Sequence, residues 1–381
     1  MISVDQLLAD ARAQTGLDDF GDPTMFDGLN RLIDALNTEA KISETGAQRW
    51  SASITATLAN RLKVEDYLKA NPHLLDAPIE KPLFVFGLPR TGTTLAINLL
   101  TADPARRFFM RWEAMNTIPP AGPGAQRTDP RYHEEQARLD MALKYLPHIT
   151  AMHHEDADSS TECQFAMAPA FCAQLYDSQA YIPSYSEWFL HTDYRPAFRY
   201  HKRLMQLLQQ HNKGRWTFKN PWHPLYLDAL HETYPDAQLV MTHRDPAEVV
   251  ASACSLIFAV RQMFGDNVDP VACSDLLVHT FDLMIARVDA FEAKQGARSI
   301  HHILYTDLVT DPVGEMRKVY AKFGEPFRAD AESAMQALMA AKPQNKFGKH
   351  EYKLEDYGLT RNQVHDHFAD YIDRYGIVCK G

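Results

Sequence analysis

The chain has 381 residues, of which 45% are hydrophobic and 23% are charged, and its net charge is −10. This length supports one large α/β core, or such a core with a helical addition. The negative net charge argues against a protein that binds nucleic acid or anionic membranes in general. It does not exclude a local basic pocket for a small anion.

The cysteines and the apolar runs bear on the cellular compartment. The five cysteines are odd in number and form no CxxC pair, which is typical of ordinary thiols in a reducing compartment. The N-terminal stretch is amphipathic and carries acids, so it resembles neither a secretory nor a mitochondrial signal. No apolar run approaches the roughly 20 residues that cross a bilayer. We expect a cytoplasmic protein without a membrane span.

Residues 1–80 are helical in pattern. Apolar residues recur at spacings of three or four around Leu7, from Phe26 to Leu36 and from Ile54 to Leu62. No polar linker or low-complexity run separates this segment from the rest of the chain. We therefore predict an N-terminal helical segment over 1–80 that packs on a core domain over 81–381.

Strand patterns begin at Pro82–Gly87, whose nearly continuous apolar run is typical of a strand buried on both faces of a parallel sheet. A helical pattern follows over Thr94–Leu100. Further candidate strands, with helical patterns between them, are Trp216–Phe218, Leu239–Thr242 and His302–Tyr305. This alternation predicts right-handed crossovers and a parallel β-sheet flanked by helices, which is an α/β fold.

A second helical region follows a loop rich in proline and glycine over 121–131. Residues 133–212 are mostly helical in pattern and rich in aromatic side chains. We predict a helical substrate cap over about 110–212 that covers the sheet edge. The aromatic residues are consistent with a hydrophobic ligand, although such stripes more often belong to a core.

The most informative segment is GLPRTGTT, from Gly87 to Thr94, between a strand and a helix. There, consecutive backbone N–H groups and the positive helix end form an anion cradle, and Gly87 and Gly92 permit a close approach. The spacing matches a Walker A loop, except that Thr93 occupies the lysine position. That lysine serves the β and γ phosphates, so its absence argues against ATP or GTP. Arg90 can supply the cation instead.

This segment carries a family resemblance. PLFVFGLPRTGTTL resembles the 5′-phosphosulfate loop of sulfotransferases, and it is closest to the PRSGTT form of protein-tyrosine sulfotransferases and of many bacterial members. The resemblance extends from about Pro82 to Pro312. It implies a P-loop-like fold, 3′-phosphoadenylyl sulfate (PAPS) as donor and 3′,5′-adenosine bisphosphate as product. The implied contacts to the 5′-phosphosulfate come from Arg90, Thr91, Gly92, Thr93 and Thr94.

A second strand–turn–helix motif covers Leu239–Pro246. Arg244 at the strand end offers a planar fork for a phosphate, and a prompt helix start at the proline would bring Ser252 to the same end of the cleft. The two residues resemble the pair that holds the 3′-phosphate in sulfotransferases. Tyr305 resembles the family's tyrosine beside the adenine. The C-terminal Arg-Lys-Gly loop of the family is not recognisable here, and the candidate substitutes are Lys346, Lys349 and His350.

The chemistry requires cations at the leaving group and a base for the acceptor proton, and in principle it requires no metal. No HExxH or clustered ligand pattern predicts a metal site. Arg90 and Lys219 are the candidate cations. Lys219, in WTFKNP at a strand end, resembles the lysine that contacts the sulfuryl group in the family.

The catalytic base stays open at this point. Cytosolic members use a histidine two residues after that lysine, where this chain has Pro221, and His223 is near but shifted. Tyrosine-directed members use a glutamate after the helix that follows the loop, and Glu113 lies at a comparable position with slightly longer spacing. The third group of candidates consists of His154 and Glu155, with Glu162 beyond. For each of these side chains, the alternative to catalysis is a purely structural role in a hydrogen bond.

The resemblance and the motifs together predict sulfuryl transfer from PAPS to a hydroxyl or amine of a small hydrophobic or aromatic acceptor. A P-loop-type kinase is the first alternative, and it would need the loop lysine and a metal-holding aspartate on a neighbouring strand. A non-catalytic nucleotide-binding protein is the second, and it would need neither Lys219 nor a base. We expect a small-molecule partner and no nucleic acid. The sequence does not decide whether the protein forms a homo-oligomer.

Overall fold

The computed structural model describes residues 1–145, 155–265, 268–341 and 353–379. At its centre lies a five-stranded sheet with the order β2-β3-β1-β4-β5, and its neighbouring strands run parallel. The strands are β1 (Leu83–Gly87), β2 (Arg106–Phe108), β3 (Arg215–Lys219), β4 (Gln238–His243) and β5 (Ile300–Leu304). The predicted α/β fold with a P-loop-like parallel sheet is confirmed.

Helices surround the sheet and form its crossovers. The α-helices are α1 (Val4–Thr15), α2 (Met25–Thr38), α3 (Glu44–Ala70), α4 (Thr93–Ala102), α5 (Arg111–Met115), α6 (Pro130–Tyr145), α7 (Cys163–Met167), α8 (Gln174–Gln179), α9 (Pro183–His191), α10 (Arg195–Leu208), α11 (Leu227–Thr233), α12 (Pro246–Arg261), α13 (Pro270–Gln295), α14 (Tyr305–Thr310), α15 (Pro312–Lys322), α16 (Ala329–Ala341), α17 (Arg361–His367) and α18 (Ala369–Tyr375). Short 3₁₀ turns occupy Pro72–Asp76, Ala168–Ala170, His223–Tyr226 and Leu354–Tyr357. Within the described ranges, no helix is long and apolar enough to cross a membrane.

Strand β1 shows why an apolar run forms the centre of this sheet. Its residues are all buried, and they alternate between two hydrophobic clusters. Phe84 and Phe86 join the cluster that also contains the apolar stripes of α1, α2 and α3, whereas Leu83 and Val85 face the cluster built around α4 and α15. Burying a side chain of this size stabilises the fold by about 1.5–3 kcal/mol. The predicted helices of residues 1–80 therefore pack on the sheet, while the domain boundary at residue 80 stays a prediction.

Edge strand β2 was not predicted, because two of its three residues are arginines. Arg106 is nonetheless buried, since it donates to Glu325 at 2.6 Å, to Tyr320 at 2.9 Å and to Thr217 at 3.0 Å. A buried charge is tolerated when such partners satisfy it. The last strand also differs from its prediction: β5 ends at Leu304, and Tyr305 is the first residue of α14.

The helices over 110–212, predicted as a substrate cap, contribute one wall of a cavity at the carboxyl ends of the strands. Residues from α6, α7 and α8 line that cavity together with the loop after β1. Ligands of open α/β sheets bind at this edge, because the connections that leave the strands there splay apart. The function of these helices as a cap stays a prediction.

Candidate active site

The loop between β1 and α4 turns sharply in the left-handed region of backbone conformation. Arg90 has φ 72° and Gly92 has φ 100°. A Cβ atom on Gly92 would lie 2.8 Å from Cδ2 of Tyr305, so the close packing at this point requires glycine. Among the described side chains, none caps the start of α4, so its first N–H groups stay available to an anion in the cavity.

The predicted loop residues divide into two groups. Arg90, Gly92, Thr93 and Thr94 line the cavity. The hydroxyl of Thr91 is fully buried: its Oγ1 lies 2.7 Å from the carbonyl oxygen of Leu88 and 2.7 Å from Oγ1 of Thr242. The Thr91 side chain thus anchors the loop to β4 rather than facing the cavity.

The two phosphate motifs meet in space. The Nε of Arg90 donates to the Ser252 hydroxyl at 3.0 Å, and Arg244 donates through Nη1 to the Arg90 carbonyl at 3.2 Å. The Arg244 guanidinium lies over the ring of Tyr305, 4.6 Å from its centroid. The structure therefore brings Arg90, Arg244, Ser252 and Tyr305 together, as the sequence motifs predict.

The register of the sheet explains this convergence. Gly87 pairs with Thr242, so the loop after β1 and Arg244 leave adjacent strands at the same level. The Asp245 side chain then caps α12 by accepting the N–H of Ala247 at 2.9 Å, with proline in the first helical turn. The prompt helix start predicted from this proline is what carries Ser252 back to the loop.

A C-terminal helix braces the second motif, and no sequence signal pointed to it. Arg361 of α17 pairs with Glu248 at 2.9 Å and with Asp245 at 3.3 Å, and Glu248 also accepts from Arg244 at 3.3 Å. His365 lies 2.8 Å from Asp245. The position of Arg244 thus depends on residues more than a hundred positions further along the chain.

Asp245, His365 and Cys379 also form the sole group of potential metal ligands detected within the described ranges, with donor atoms within 4.8 Å of one another. Asp245 already caps a helix and pairs with a guanidinium, and none of the three residues lines the cavity. We assign the group a structural role.

Lys219 lies at the end of β3, in register with Val85 on the central strand, and only 1% of it is exposed. Its Nζ lies 2.9 Å from Oε1 of Glu162, the residue that precedes α7. Glu162 also accepts from the amide of Gln164, and both of these residues line the cavity. A buried ion pair is costly to break, because one partner would keep an uncompensated charge. The pair therefore presents a carboxylate to the cavity with an ammonium directly behind it.

The structure does not bring Glu113 to the cavity. Only 1% of Glu113 is exposed; it pairs with Arg107 and accepts the backbone N–H of Met110 at 3.1 Å, and the cavity wall does not include it. Its carboxylate holds the start of α5 in place. The spacing argument could not anticipate this partner, because Arg107 lies on the unpredicted strand β2. A role of Glu113 as the base stays a prediction that this geometry does not support.

His223 does not line the cavity either. It is fully buried, its ring centroid lies 5.2 Å from that of Phe84 and 5.9 Å from that of Phe198, and no described residue forms a hydrogen bond with either ring nitrogen. Burial holds its pKa well below the ordinary value of 6.5, so the ring is neutral. His154, the other predicted histidine, lies outside the described residues, as do Lys346, Lys349 and His350.

The cavity itself has a volume of about 580 Å³. Its wall includes Arg90, Arg244 and the start of α4, which form the donor end, and it also includes Glu155, Glu162 and Arg111. Glu155 is engaged by Arg111 at 3.3 Å. From the sequence, Glu155 was a candidate together with His154, and Glu162 was noted only as lying beyond them. The sequence did not indicate Arg111. A cavity with cations beside a carboxylate can bind an anion and accept a proton from a neighbouring group.

Comparisons with known proteins agree with this geometry. Residues 82–330 match the profile described as Sulfotransferase family. The chain is 25% identical over 324 residues to the omega-hydroxy-beta-dihydromenaquinone-9 sulfotransferase Stf3 of Mycobacterium bovis, a match covering 78% of this chain and 75% of that protein.

Two crystal structures match almost the whole chain. The sulfotransferase STF9 from Mycobacterium avium has a TM-score of 0.92 and 33% identity, covering 100% of this chain and 98% of its own. The sulfotransferase STF1 from Mycobacterium tuberculosis H37Rv has a TM-score of 0.87 and 32% identity, and the match covers 97% of this chain and 99% of the STF1 chain. The predicted resemblance is confirmed, and the kinase and the non-catalytic binder are set aside. The chain belongs to the sulfotransferase family and is a sulfotransferase enzyme.

Proposed function

We propose that this enzyme transfers a sulfuryl group from PAPS to a hydroxyl or amine of a small hydrophobic acceptor. The observation that carries the proposal is that Arg90 and Arg244, which converge with Ser252, line the same cavity as Glu162, the partner of the buried Lys219. PAPS is the usual sulfuryl donor of the family.

The residues at the donor end fit a donor with two separate phosphate groups. The N–H groups at the start of α4, together with Arg90, suit the 5′-phosphosulfate, because the glycine there leaves room for a close approach. Arg244 and Ser252 suit the 3′-phosphate, and Tyr305 suits the adenine. No lysine occupies the loop position that would serve the β and γ phosphates of ATP.

The same arrangement supports a division of roles in the reaction. PAPS supplies the sulfuryl group. Glu162 accepts the proton of the acceptor hydroxyl as the new bond to sulfur forms, and Lys219 and Arg90 hold positive charge near the oxygen that leaves the sulfur. We choose Glu162 over Glu113 and His154 because its carboxylate lines the cavity and lies 2.9 Å from the Lys219 ammonium.

The acceptor is proposed to be hydrophobic because apolar side chains of α6 and α12, together with Phe165 and Trp222, line much of the remaining cavity wall. A polar acceptor would lose hydrogen bonds to water there without regaining them. The curated relative Stf3 is named for an omega-hydroxylated menaquinone derivative, which is in keeping with an apolar acceptor that carries one hydroxyl.

Binding of the donor product tests the proposal. At about 100 times its dissociation constant, 3′,5′-adenosine bisphosphate should stabilise the folded enzyme by roughly 2.7 kcal/mol in a thermal unfolding experiment. Adenosine 5′-monophosphate, which lacks the 3′-phosphate, and ATP serve as matched controls and should stabilise it much less. No stabilisation by the bisphosphate at millimolar concentration, or an equal effect of ATP, would overturn the proposal.

A further inference from the structure

Beyond its donor end, the cavity continues along one face of helix α12. Ala253, Leu256, Ile257, Val260 and Met263, the last of which lies just past the helix end, line the cavity wall. Their spacings of three, one, three and three residues place them on a single stripe of the helix surface. The stripe begins next to Ser252, at the donor end, and leads away from it.

Among the described residues, the outer part of this stripe packs against no hydrophobic cluster. Ala253 and Ile257 belong to the main hydrophobic cluster, whereas Leu256, Val260 and Met263 are half-buried and pack against none of the clusters that the described residues form. Apolar side chains that line a cavity without packing against a core are typical of a site for an apolar ligand.

Other parts of the cavity wall add apolar side chains. Leu139 and Leu143 lie four residues apart on α6, and Leu175 of α8 also lines the cavity, while the other α8 residues in the wall, Gln174, Ser178 and Gln179, are polar. None of the charged residues in the cavity wall lies on α6 or α12. The cavity thus combines charged groups with an apolar wall along these two helices, and we call the apolar wall the α12 groove.

The helix geometry gives the length and the direction of the α12 groove. From Ala253 to Met263 the chain advances by about 15 Å, at 1.5 Å per residue. An extended hydrocarbon advances by about 1.25 Å per carbon, given C–C bonds of about 1.5 Å, so roughly 12 carbons span the groove. Ala253 is only 2% exposed whereas Met263 is half-buried, so the stripe becomes more exposed toward Met263.

We propose that the acceptor is an elongated amphiphile, a long-chain primary alcohol, whose hydroxyl lies beside Glu162 while its hydrocarbon tail extends along the α12 groove toward Met263. This inference rests on the proposed sulfuryl transfer and adds the shape and the orientation of the acceptor. A compact phenol would occupy only the space beside Glu162 and would leave Leu256 and Val260 without a partner.

A series of linear 1-alkanols from 4 to 14 carbons, each kept below its solubility limit and assayed with radiolabelled PAPS, tests this inference. Each added methylene should raise kcat/KM about three- to fourfold, until roughly 12 carbons fill the groove and the values level off. 4-Nitrophenol, the compact comparison, should react less efficiently than 1-dodecanol. A flat series, or a preference for 4-nitrophenol, would overturn the elongated acceptor while the proposed function stands. Failure of 3′,5′-adenosine bisphosphate to bind would instead remove the proposed function itself.

A bulky substitution in the groove gives an independent test. Val260→Trp should lower kcat/KM for 1-dodecanol at least tenfold, and for 1-butanol less than threefold, with unchanged binding of 3′,5′-adenosine bisphosphate. Gln262→Trp adds the same bulk at an exposed position next to the same helix and should change none of these values. Met263→Trp, at the half-buried end of the stripe, replaces Val260→Trp if that variant does not fold. Equal losses for the long and the short alcohol in a folded variant would contradict the proposed path of the tail.

Discussion

The Nε of Arg90 donates a hydrogen bond to the hydroxyl of Ser252 at 3.0 Å. Arg90 belongs to the loop after β1, and Ser252 lies on the helix after the neighbouring strand β4. Because Arg244 also donates to the Arg90 carbonyl, the two phosphate motifs form one continuous surface. Variants in either motif should therefore affect the binding of the whole donor.

Arg244→Ala should weaken the binding of 3′,5′-adenosine bisphosphate about 10- to 100-fold, because it removes charge-assisted hydrogen bonds to a phosphate remote from the reacting sulfur. The turnover rate at saturating PAPS should stay within about tenfold of the wild-type rate, because the lost interaction is made equally in the ground and transition states. Calorimetry and initial rates measure the two quantities. Arg195→Ala, an exposed arginine paired with Asp193, is the control for a general charge effect. A larger fall in saturated turnover would show that Arg244 acts in the chemical step.

Glu162→Gln keeps the shape of the side chain and an acceptor for Lys219, but it removes the basic carboxylate. We expect turnover to fall about a hundredfold or more, with little change in donor affinity. The variant should also lose stability, because the buried Lys219 ammonium loses its carboxylate partner. Lys219→Met should have a comparable effect on turnover, because it removes a cation that stabilises charge in the transition state. It should also destabilise the fold by about 3 kcal/mol or more, since it leaves the Glu162 carboxylate unpaired. Urea unfolding of each variant separates the two effects.

Glu113→Gln should act on stability instead. The substitution leaves the buried Arg107 without its carboxylate, so the free energy of unfolding should fall by about 3 kcal/mol. The turnover per folded molecule should change less than threefold. If folded Glu113→Gln is inactive while Glu162→Gln is active, Glu113 is the base and our choice of Glu162 is wrong.

Gly92→Ala should lower both stability and donor binding. The residue has φ 100°, and its new Cβ would lie 2.8 Å from the Tyr305 ring, so the loop or the ring must move, at a cost of about 1–3 kcal/mol. Gly16→Ala is the matched control, because Gly16 also has a positive φ, 70°, but nothing lies within 4 Å of the added Cβ. Gly16→Ala should destabilise the protein without changing the affinity for 3′,5′-adenosine bisphosphate. Equal affinities of the two variants would show that the contact between Gly92 and Tyr305 does not shape the donor site.

Buried histidines should make the fold sensitive to acid. Burial lowers the pKa of His201 to about 3 and holds the pKa values of His223 and His243 well below 6.5. Between the lowered pKa and 6.5 the unfolded chain binds a proton that the folded chain does not, so stability falls as the pH drops below about 6.5. Each such histidine contributes up to about 1.4 kcal/mol per pH unit.

His223→Leu tests this linkage, because neither nitrogen of the ring has a hydrogen-bond partner among the described residues. The variant should lose less stability than the wild type between pH 7 and pH 5.5, whatever its stability at pH 7. Denaturant unfolding at the two pH values measures the difference. An unchanged difference would show that His223 is protonated equally in the folded and unfolded states.

The sequence by itself determined the donor end of the site. Gly92, Arg90, Arg244 and Ser252 lie in two continuous strand–turn–helix segments, and in such segments the local spacing fixes where each side chain lies. Parallel strands also bring their carboxyl ends to one edge of the sheet, so the two segments had to meet there once the fold class was known. The apolar run of β1 and the apolar residues Leu239–Met241 of β4 indicated that fold class, because short apolar runs that alternate with helical patterns are typical of strands buried on both faces of a parallel sheet.

Only the tertiary structure decided which carboxylate faces the cavity. The sequence favours Glu113 over Glu162, but Arg107 on the edge strand engages Glu113, while Lys219 on β3 holds Glu162 at the cavity wall. The brace from Arg361 to Glu248 and the α12 groove likewise arise from contacts between distant segments. The free energy of a buried charge depends on the partner beside it, and a partner far away in sequence leaves no periodicity or spacing by which it could be predicted.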